Sequence, residues 1–341
     1  MSPNTPQEAD VAAVPAGDKA VKSILIYMAM AAEAAPLVNS LDLQLKEHDS
    51  FPAGSPWQLH SGSHAGVSIH LVTPGKDRTL GVDNVGTVPA AVAVYAAAAS
   101  LHPDLIINAG TAGGFKAKGA AIGDVYLASH FANHDRRIPL PGFDEYGIGL
   151  IESPHASRVA AALGFKVGRV SSGNSLDMSA EDEKLIAKND ATVKDMEAAA
   201  VAWVAALLSL PLLSVKAVTD IVDGDRPTTE EFLENLHTAA DALQHAVPKL
   251  VALVEGKRLV ELGVEEGGEE GGEEGGEEGG GEGEEEGGEE GGGEGEEEGG
   301  EEGGGEGEEE GGEEFLENLH TAADALQHAV PKVVTRVLAR I

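Results

Sequence analysis

Short apolar runs alternate with helical stretches along most of the chain. The apolar runs are SILIYMAM (23–30), VSIHLV (67–72), DLIINAG (104–110), GDVYLAS (123–129), FKVGRVSS (165–172) and LLSVKAVTD (212–220). Helical periodicity covers residues 33–45, 87–101, 156–162, 197–208 and 230–249. Continuous apolar strands that alternate with helices predict an α/β sheet covered by helices on both faces.

Three of the predicted strands end in chemically suggestive residues at the edge of the sheet where ligands bind in α/β folds. These ends read MAMAAE, NAGTAGG and AVTDIVDGD, and they contain Glu33, Thr111 and Asp220. The residues alone leave two interpretations open. Glu33 is either a site carboxylate or an acid in a first helical turn, and Asp220 is either a site carboxylate or part of an Asp-rich turn.

Glu197 precedes a very apolar helix. Residues 198–208 carry no charge, so this helix should be buried over most of its surface. An ionised Glu is almost never fully buried without a partner. Two adjacent hydroxyl donors, such as the 2′ and 3′ groups of a ribose, would supply one. The alternative is a simple N-terminal acid that the helix dipole stabilises.

Composition narrows the classes of function. Residues 265–314 consist of 26 Glu and 24 Gly, and without them the chain has 33 acidic and 23 basic residues. This mild excess of acid argues against nucleic-acid binding, which requires clustered Lys and Arg. The longest apolar run, 198–213, contains Pro211 and is too short for a membrane span. The absence of Cys excludes disulfides and fits a cytoplasmic protein.

Four segments follow from these patterns. Residues 1–21 read as a disordered, Ala/Pro-rich arm, 22–264 as the folded domain, 265–314 as a disordered Glu/Gly linker, and 315–341 as a duplicated helix segment. The linker is either a tail that binds cations or proteins, or a solvated expansion or gene-model error.

The duplication repeats residues 230–249 unchanged at 313–332. Thr228 stands three residues before Glu231, which predicts a capping box for the first copy only. We therefore expect the first copy to be the integral helix. The second copy would be a spare that could compete for the same groove.

Several stretches, in one order from about Ser23 to Leu262, resemble plant-type 5′-methylthioadenosine nucleosidases of the nucleoside phosphorylase family. These stretches are IYMAMAAEAAPLVN, GVDNVGTVPA, DLIINAGTAGGFKAKGAAIGDV, HDRRIPLPGFDEYGIG, SSGNSLDMS, NDATVKDMEAAAVA and SVKAVTDIVDGDRPT. The resemblance implies a three-layer αβα sandwich around a central mixed, twisted β-sheet. It also makes residues 22–264 a nucleosidase catalytic domain.

The implied reaction hydrolyses the N-glycosidic bond of 5′-methylthioadenosine to adenine and 5-methylthioribose, in methionine salvage. It needs water but no cofactor and no metal ion. By the same resemblance, Asp220 protonates the departing adenine and Glu33 orients and deprotonates the water. Glu197 holds the ribose hydroxyls.

The resemblance also implies supporting residues. Thr111 would help hold the water, Leu176 would frame the adenine, and the sugar and methylthio group would meet Met30, Val85 and Met196. Phe143 would come from the neighbouring subunit of a homodimer; the alternative for Phe143 is a core aromatic.

The chain departs from the family pattern at two positions. Asn174 stands where the family usually has Asp, which should soften the support around Asp220. Ala112 replaces a Cys and should change little volume.

Two other functions remain open. A phosphorylase of the same fold would need cationic or amide ligands for phosphate near Glu33, whose charge should repel it. A non-catalytic storage or binding relative need not retain Glu33, Glu197 and Asp220 together.

Overall fold

The computed structural model describes residues 12–15, 17–47 and 51–262. The predicted linker, the predicted duplicated segment and residues 1–11 of the predicted arm lie outside these ranges. Domain boundaries at residues 22 and 264 therefore stay predictions.

The described residues contain one mixed sheet of eleven strands. They are β1 (Ala12–Ala13), β2 (Ser23–Tyr27), β3 (Gln44–Lys46), β4 (Gln58–His64), β5 (Val67–Thr73), β6 (Leu105–Gly114), β7 (Val125–Asn133), β8 (Ile151–Glu152), β9 (Lys166–Ser172), β10 (Val193–Asp195) and β11 (Leu212–Ile221). Their spatial order is β1-β8-β7-β9-β10-β6-β2-β5-β4-β3, and β11 pairs with both β6 and β7.

Five of these strands close a ring. β11 runs parallel to β6 and antiparallel to β7, and β7 continues through β9 and β10 back to β6. The ring brings the ends of β6 and β11 together with the short strand β10. A site at this edge of the sheet can therefore use residues from strands that lie far apart in the sequence.

Helices cover both faces of the sheet. Within the described ranges they are α1 (Ala31–Ser40), α2 (Thr87–Leu101), α3 (Phe143–Ile148), α4 (Ala156–Leu163), α5 (Ala180–Lys188), α6 (Ala198–Leu207) and α7 (Thr228–Val254). The buried residues of α1, α4 and α7 pack on one face, and those of α2 and α6 pack on the other. The predicted three-layer αβα sandwich around a mixed sheet is confirmed.

Two segment predictions are wrong. Residues 44–46 form strand β3 against β4, although helical periodicity extended to residue 45. The described part of the predicted arm is not disordered, because Ala12 and Ala13 pair with β8 and Val14 is buried. Pairing with the sheet satisfies the backbone groups of this segment, and its polar composition gave no sign of that.

The start of α7 also differs from the prediction. Thr228 is already helical after Pro227, and its side chain caps nothing. Glu231 instead accepts a hydrogen bond from the Ile221 backbone N–H at 2.8 Å. The expected capping box is therefore replaced by a contact that ties α7 to the end of β11.

Truncation after Val264 tests whether the second helix copy matters. Ala239, Leu243 and Val247 of the first copy already pack in the core on one face of the sheet. We expect the melting temperature and the activity of the truncated chain to equal those of the full chain. A clear change in either would support competition by the second copy.

Candidate active site

One cavity of about 250 Å³ opens at the edge of the sheet where β6 and β11 end. It is lined by every predicted site residue except Phe143: Met30, Glu33, Val85, Thr111, Leu176, Met196, Glu197 and Asp220. Glu33 and Asp220 therefore line the same cavity, although they stand 187 positions apart in the sequence. In the described part of the chain, no group of three His, Asp or Glu is placed to hold a metal ion.

Glu33 lies in the first turn of α1, where it is buried. Its Oε1 accepts hydrogen bonds from the Thr111 backbone N–H at 2.9 Å and from Thr111 Oγ1 at 2.5 Å. Its Oε2 accepts a longer bond, 3.3 Å, from the Met30 N–H. The bond from Met30 is the one expected of an acid in a first helical turn. The two bonds from Thr111 go beyond that role and hold the carboxylate against β6.

Asp220 is aimed into the cavity by an irregularity in β11. Val218 pairs with Ala112 and Asp220 pairs with Gly113, so Thr219 is an extra residue in the ladder. Such bulges redirect side chains next to active sites. A Cβ on Gly113 would lie 2.7 Å from Asp220 Oδ2, so only glycine leaves room for this carboxyl group.

The environment of Asp220 favours its protonated form. The side chain is buried, and burial raises its pKa. A hydrogen bond from Thr219 Oγ1, at 2.7 Å, and the charge of Lys194 oppose that rise. A carboxyl group with a raised pKa can act as a proton donor closer to neutral pH.

Glu197 stands immediately before α6, but another carboxylate caps that helix. Asp195 Oδ2 accepts hydrogen bonds from the backbone N–H groups of Glu197 and Ala198, at 3.3 and 2.8 Å. Glu197 Oε1 accepts instead from the N–H of Gly86 at 2.9 Å, and Gly86 lies just before α2, 111 positions earlier in the sequence. The simple helix-acid interpretation of Glu197 is therefore wrong.

A buried ion pair supports these acids. Lys216 Nζ lies 2.7 Å from Asp195 Oδ2, and both side chains are almost fully enclosed. Asp195 Oδ1 also accepts a 2.5 Å bond from Ser172 Oγ. Burial lowers the pKa of Lys216, but the charges of Asp195 and then Glu197 outweigh this effect, so the pKa is raised and the ammonium stays charged.

Removal of this cation should destabilise the fold. We expect Lys216→Met to lower the free energy of unfolding by about 3–5 kcal/mol, because Asp195 then stays buried without its partner. Urea denaturation measures the loss, and Lys184→Met on the exposed surface of α5 is the matched control. If Lys216→Met were as stable as the control, the ion pair would have no structural role.

The ionisation of Glu197 should make stability depend on pH. Burial, then the Asp195 charge, raises its pKa from 4.5 to about 7, against the opposing charge of Lys216. A pKa raised by folding stabilises the protein fully below the unfolded value, and this contribution is lost as pH rises through the folded value.

Glu197→Gln isolates this contribution because glutamine does not titrate. We expect the stability of the wild type relative to Glu197→Gln to fall between pH 4.5 and 7.5. Urea denaturation of both proteins at several pH values measures the difference. Parallel curves across that window would show that Glu197 keeps an ordinary pKa.

The segment 173–177 reaches the cavity at Leu176. Lys194 Nζ donates to the carbonyl groups of Ser175 and Leu176, at 2.6 and 3.0 Å. Asn174 Oδ1 accepts from the N–H and the Oγ1 of Thr87, both at 2.9 Å. Leu176 thus reaches the cavity on a segment that is held from two sides.

The effect expected at Asn174 is corrected by these contacts. Its backbone N–H and its Nδ2 both donate to Asp135 Oδ2 at 2.7 Å, so its described polar partners are Asp135 and Thr87 rather than Asp220. An Asp here would put a second carboxylate against Asp135. The amide therefore suits these two partners, and no described hydrogen bond links it to Asp220.

Phe143 lies outside the cavity. It begins α3, is 53% exposed and contacts Tyr146 edge to face, with ring centroids 6.3 Å apart. The core-aromatic interpretation is therefore wrong. Phe232 of α7 does line the cavity, although in the sequence it reads as one more apolar residue of a helix face.

Comparisons with known proteins agree with this geometry. The model of the Phosphorylase superfamily matches residues 23–252. Two Arabidopsis thaliana proteins, 5′-methylthioadenosine nucleosidase and 5′-methylthioadenosine/S-adenosylhomocysteine nucleosidase, are each 50% identical to this chain over 242 residues. Each alignment covers 71% of this chain, with 91% of the first protein and 95% of the second.

A solved structure extends the similarity to the fold. The apo structure of Arabidopsis thaliana 5′-methylthioadenosine nucleosidase matches with a TM-score of 0.70 and 50% identity, over 72% of this chain and 100% of that chain. Residues 23–252, which the family model matches, include every residue that lines the cavity. The chain is therefore a member of the phosphorylase superfamily, among the plant-type 5′-methylthioadenosine nucleosidases.

Proposed function

We propose that this chain hydrolyses the N-glycosidic bond of 5′-methylthioadenosine, giving adenine and 5-methylthioribose. The observation that carries the proposal is the convergence of Glu33, Glu197 and Asp220 on one cavity. Glycoside hydrolysis needs an acid at the leaving group and a base at the water, and Asp220 and Glu33 supply these two groups.

Asp220 acts on the base side. As the C–N bond breaks, electrons move onto the purine, and the protonated carboxyl group of Asp220 donates its proton to a ring nitrogen. Burial of Asp220 favours the protonated form that this step requires. Adenine then leaves as a neutral molecule.

Glu33 acts on the water side. It accepts a proton from the water whose oxygen forms the new bond to the anomeric carbon, which develops positive charge as the base departs. The Thr111 hydroxyl and N–H orient the Glu33 carboxylate for this transfer. Both protons are accounted for, since one reaches the purine and the other leaves the water.

Glu197 binds the sugar. One of its oxygens is occupied by the Gly86 N–H, and a carboxylate can accept several more hydrogen bonds. The 2′ and 3′ hydroxyls of the ribose are suitable donors. Their hydrogen bonds favour the charged form, so substrate binding should lower the pKa of Glu197.

Adenine release in phosphate-free buffer tests the proposed reaction. We expect the purified chain to release adenine and 5-methylthioribose from 5′-methylthioadenosine without phosphate. A strict requirement for phosphate would instead identify a phosphorylase. No release at any phosphate concentration would indicate a binding or storage protein.

We also propose a homodimer in which Phe143 completes the partner's cavity. An apolar stripe supports this proposal: Val88, Val92 and Tyr95 on α2 are 70%, 53% and 49% exposed, and Trp203 of the adjacent α6 is 47% exposed. A contiguous exposed apolar surface of this kind typically marks an interface. Light scattering should give twice the mass of one chain, and a monomer at assay concentration would contradict the proposal.

Cytoplasmic location remains a proposal that rests on the Cys-free composition. Fluorescence of a tagged full-length chain in plant cells tests it, and signal confined to an organelle would contradict it. Separately, no described helix is both long and apolar enough to cross a bilayer.

A further inference from the structure

Lys194 is an unusual component of the cavity wall. It is the middle residue of β10, with Ser171 of β9 on one side and Gly113 of β6 on the other. The whole residue is 5% exposed. Its ammonium group therefore lies inside the protein, next to the region where a purine would bind.

The partners of this ammonium group are neutral. Its two described hydrogen bonds go to the carbonyl oxygens of Ser175 and Leu176, and it forms no ion pair with any residue that the structure describes. Lys216, the other cation of the cavity, has Asp195 at 2.7 Å. Burial lowers the pKa of Lys194, and the more distant charges of Asp195 and Asp220 only partly oppose this effect.

A buried ammonium group without an ion pair is costly to the fold. An apolar residue on β10 would avoid that cost and still complete the sheet. The cost is therefore informative, since groups of this kind concentrate where a site needs them. Here, the group that Lys194 holds is the backbone of the segment that frames the base.

Two consecutive carbonyl groups bound to one ammonium fix two consecutive peptide planes, because each peptide unit is rigid. The other end of the segment is anchored by Asn174, which bonds to Thr87 and Asp135. Residues 173–177 are thus held at one end by a neutral amide and at the other by a charge. Only the charged end lines the cavity.

We propose that Lys194 is a positioning residue for the leaving base: its ammonium group holds the backbone of Ser175 and Leu176 in the conformation that binds adenine beside Asp220. The inference rests on the proposed function, because it takes the purine to be the group bound at this end of the cavity. Lys194 itself transfers no proton in the reaction.

The test separates the two halves of the cavity. Binding of adenine alone and of 5-methylthioribose alone is measured by calorimetry for the wild type and for Lys194→Met. We expect adenine affinity to fall about tenfold or more, since charge-assisted hydrogen bonds are lost. The affinity for 5-methylthioribose should stay unchanged, which a general loss of structure would not produce.

Three further proteins complete the experiment. Lys184→Met on the exposed face of α5 should bind both ligands as the wild type does. Lys194→Arg keeps the charge and should recover most of the adenine affinity. If Lys194→Met does not fold, Lys194→Gln replaces it and should show the same division between the two ligands.

The outcomes distinguish the two proposals. Equal weakening of adenine and 5-methylthioribose, or no weakening of either, contradicts the role of Lys194. Wild-type turnover of 5′-methylthioadenosine is measured on the same preparation. Absence of turnover there contradicts the proposed function instead, whatever the variants bind.

Discussion

Asp220→Asn should lower kcat for 5′-methylthioadenosine by about 10²–10⁴-fold, the usual contribution of a general acid. The amide has nearly the same shape and can still accept the hydrogen bond from Thr219 Oγ1, so the bulge in β11 should persist. It has no acidic proton for the departing purine. Adenine release measures kcat, and calorimetry measures substrate binding, which we expect to be retained.

A control and a pH profile make this result specific. Asp225→Asn changes an exposed acid in the loop that follows β11 and should leave kcat unaltered. The wild type should lose activity as pH rises through the pKa of Asp220, whereas the residual activity of Asp220→Asn should lack that decline. Wild-type turnover in Asp220→Asn would remove the assigned acid from the mechanism.

Glu33→Gln should have an effect of similar size, about 10²–10⁴-fold on kcat, because water then lacks its base. The glutamine side-chain oxygen can still accept from the Thr111 N–H and Oγ1. We therefore expect the start of α1 to keep its position and the melting temperature to change little. Adenine release at substrate saturation is the measurement.

Glu230→Gln is the matched control for this second variant, since Glu230 lies in the first turn of α7 and is exposed. Its kcat should match that of the wild type. If Glu33→Gln bound substrate normally and also turned it over at the wild-type rate, another group would have to accept the proton from water.

The layered fold was predictable because the apolar runs of the central strands are nearly continuous. Helix α2 was predicted with its observed bounds, since its Ala-rich stretch begins after Gly86 and ends at His102, whose φ of 48° lies in the left-handed region before Pro103. The short strands β3 and β10 were missed, because three residues are too few for a pattern to be recognised.

The sequence around Glu33, Glu197 and Asp220 left two interpretations open for each acid. Only the family resemblance assigned all three to one active site. The sequence analysis missed the ion pair between Lys216 and Asp195 that supports these acids, although one feature of the sequence pointed to it. Lys216 is the single charge in LLSVKAV, and a charged residue in an apolar strand must be paired when it is buried. The sequence does not reveal that its partner is Asp195, because β10 and β11 come to lie on either side of β6 only in the folded sheet.

Lys194 shows a different obstacle to prediction. Alternation along a strand places a side chain on one face of a sheet but says nothing of what lies opposite. The carbonyl oxygens that Lys194 contacts belong to an irregular segment nearly twenty residues earlier, and backbone acceptors leave no trace in side-chain patterns. Hydrogen bonds from a side chain to distant backbone carbonyl groups can therefore be identified only from the three-dimensional structure.

The ring of five strands has a consequence for how the molecule is made. Its last member, β11, must insert between β6 and β7, and Ser214 reaches Asn108 across 106 positions of sequence. Contacts of such long range slow folding, because the intervening loop loses entropy before any contact repays it. A nascent chain therefore holds β6 and β7 with open edges until residue 221 has left the ribosome. Refolding should be slow and prone to aggregation at high concentration.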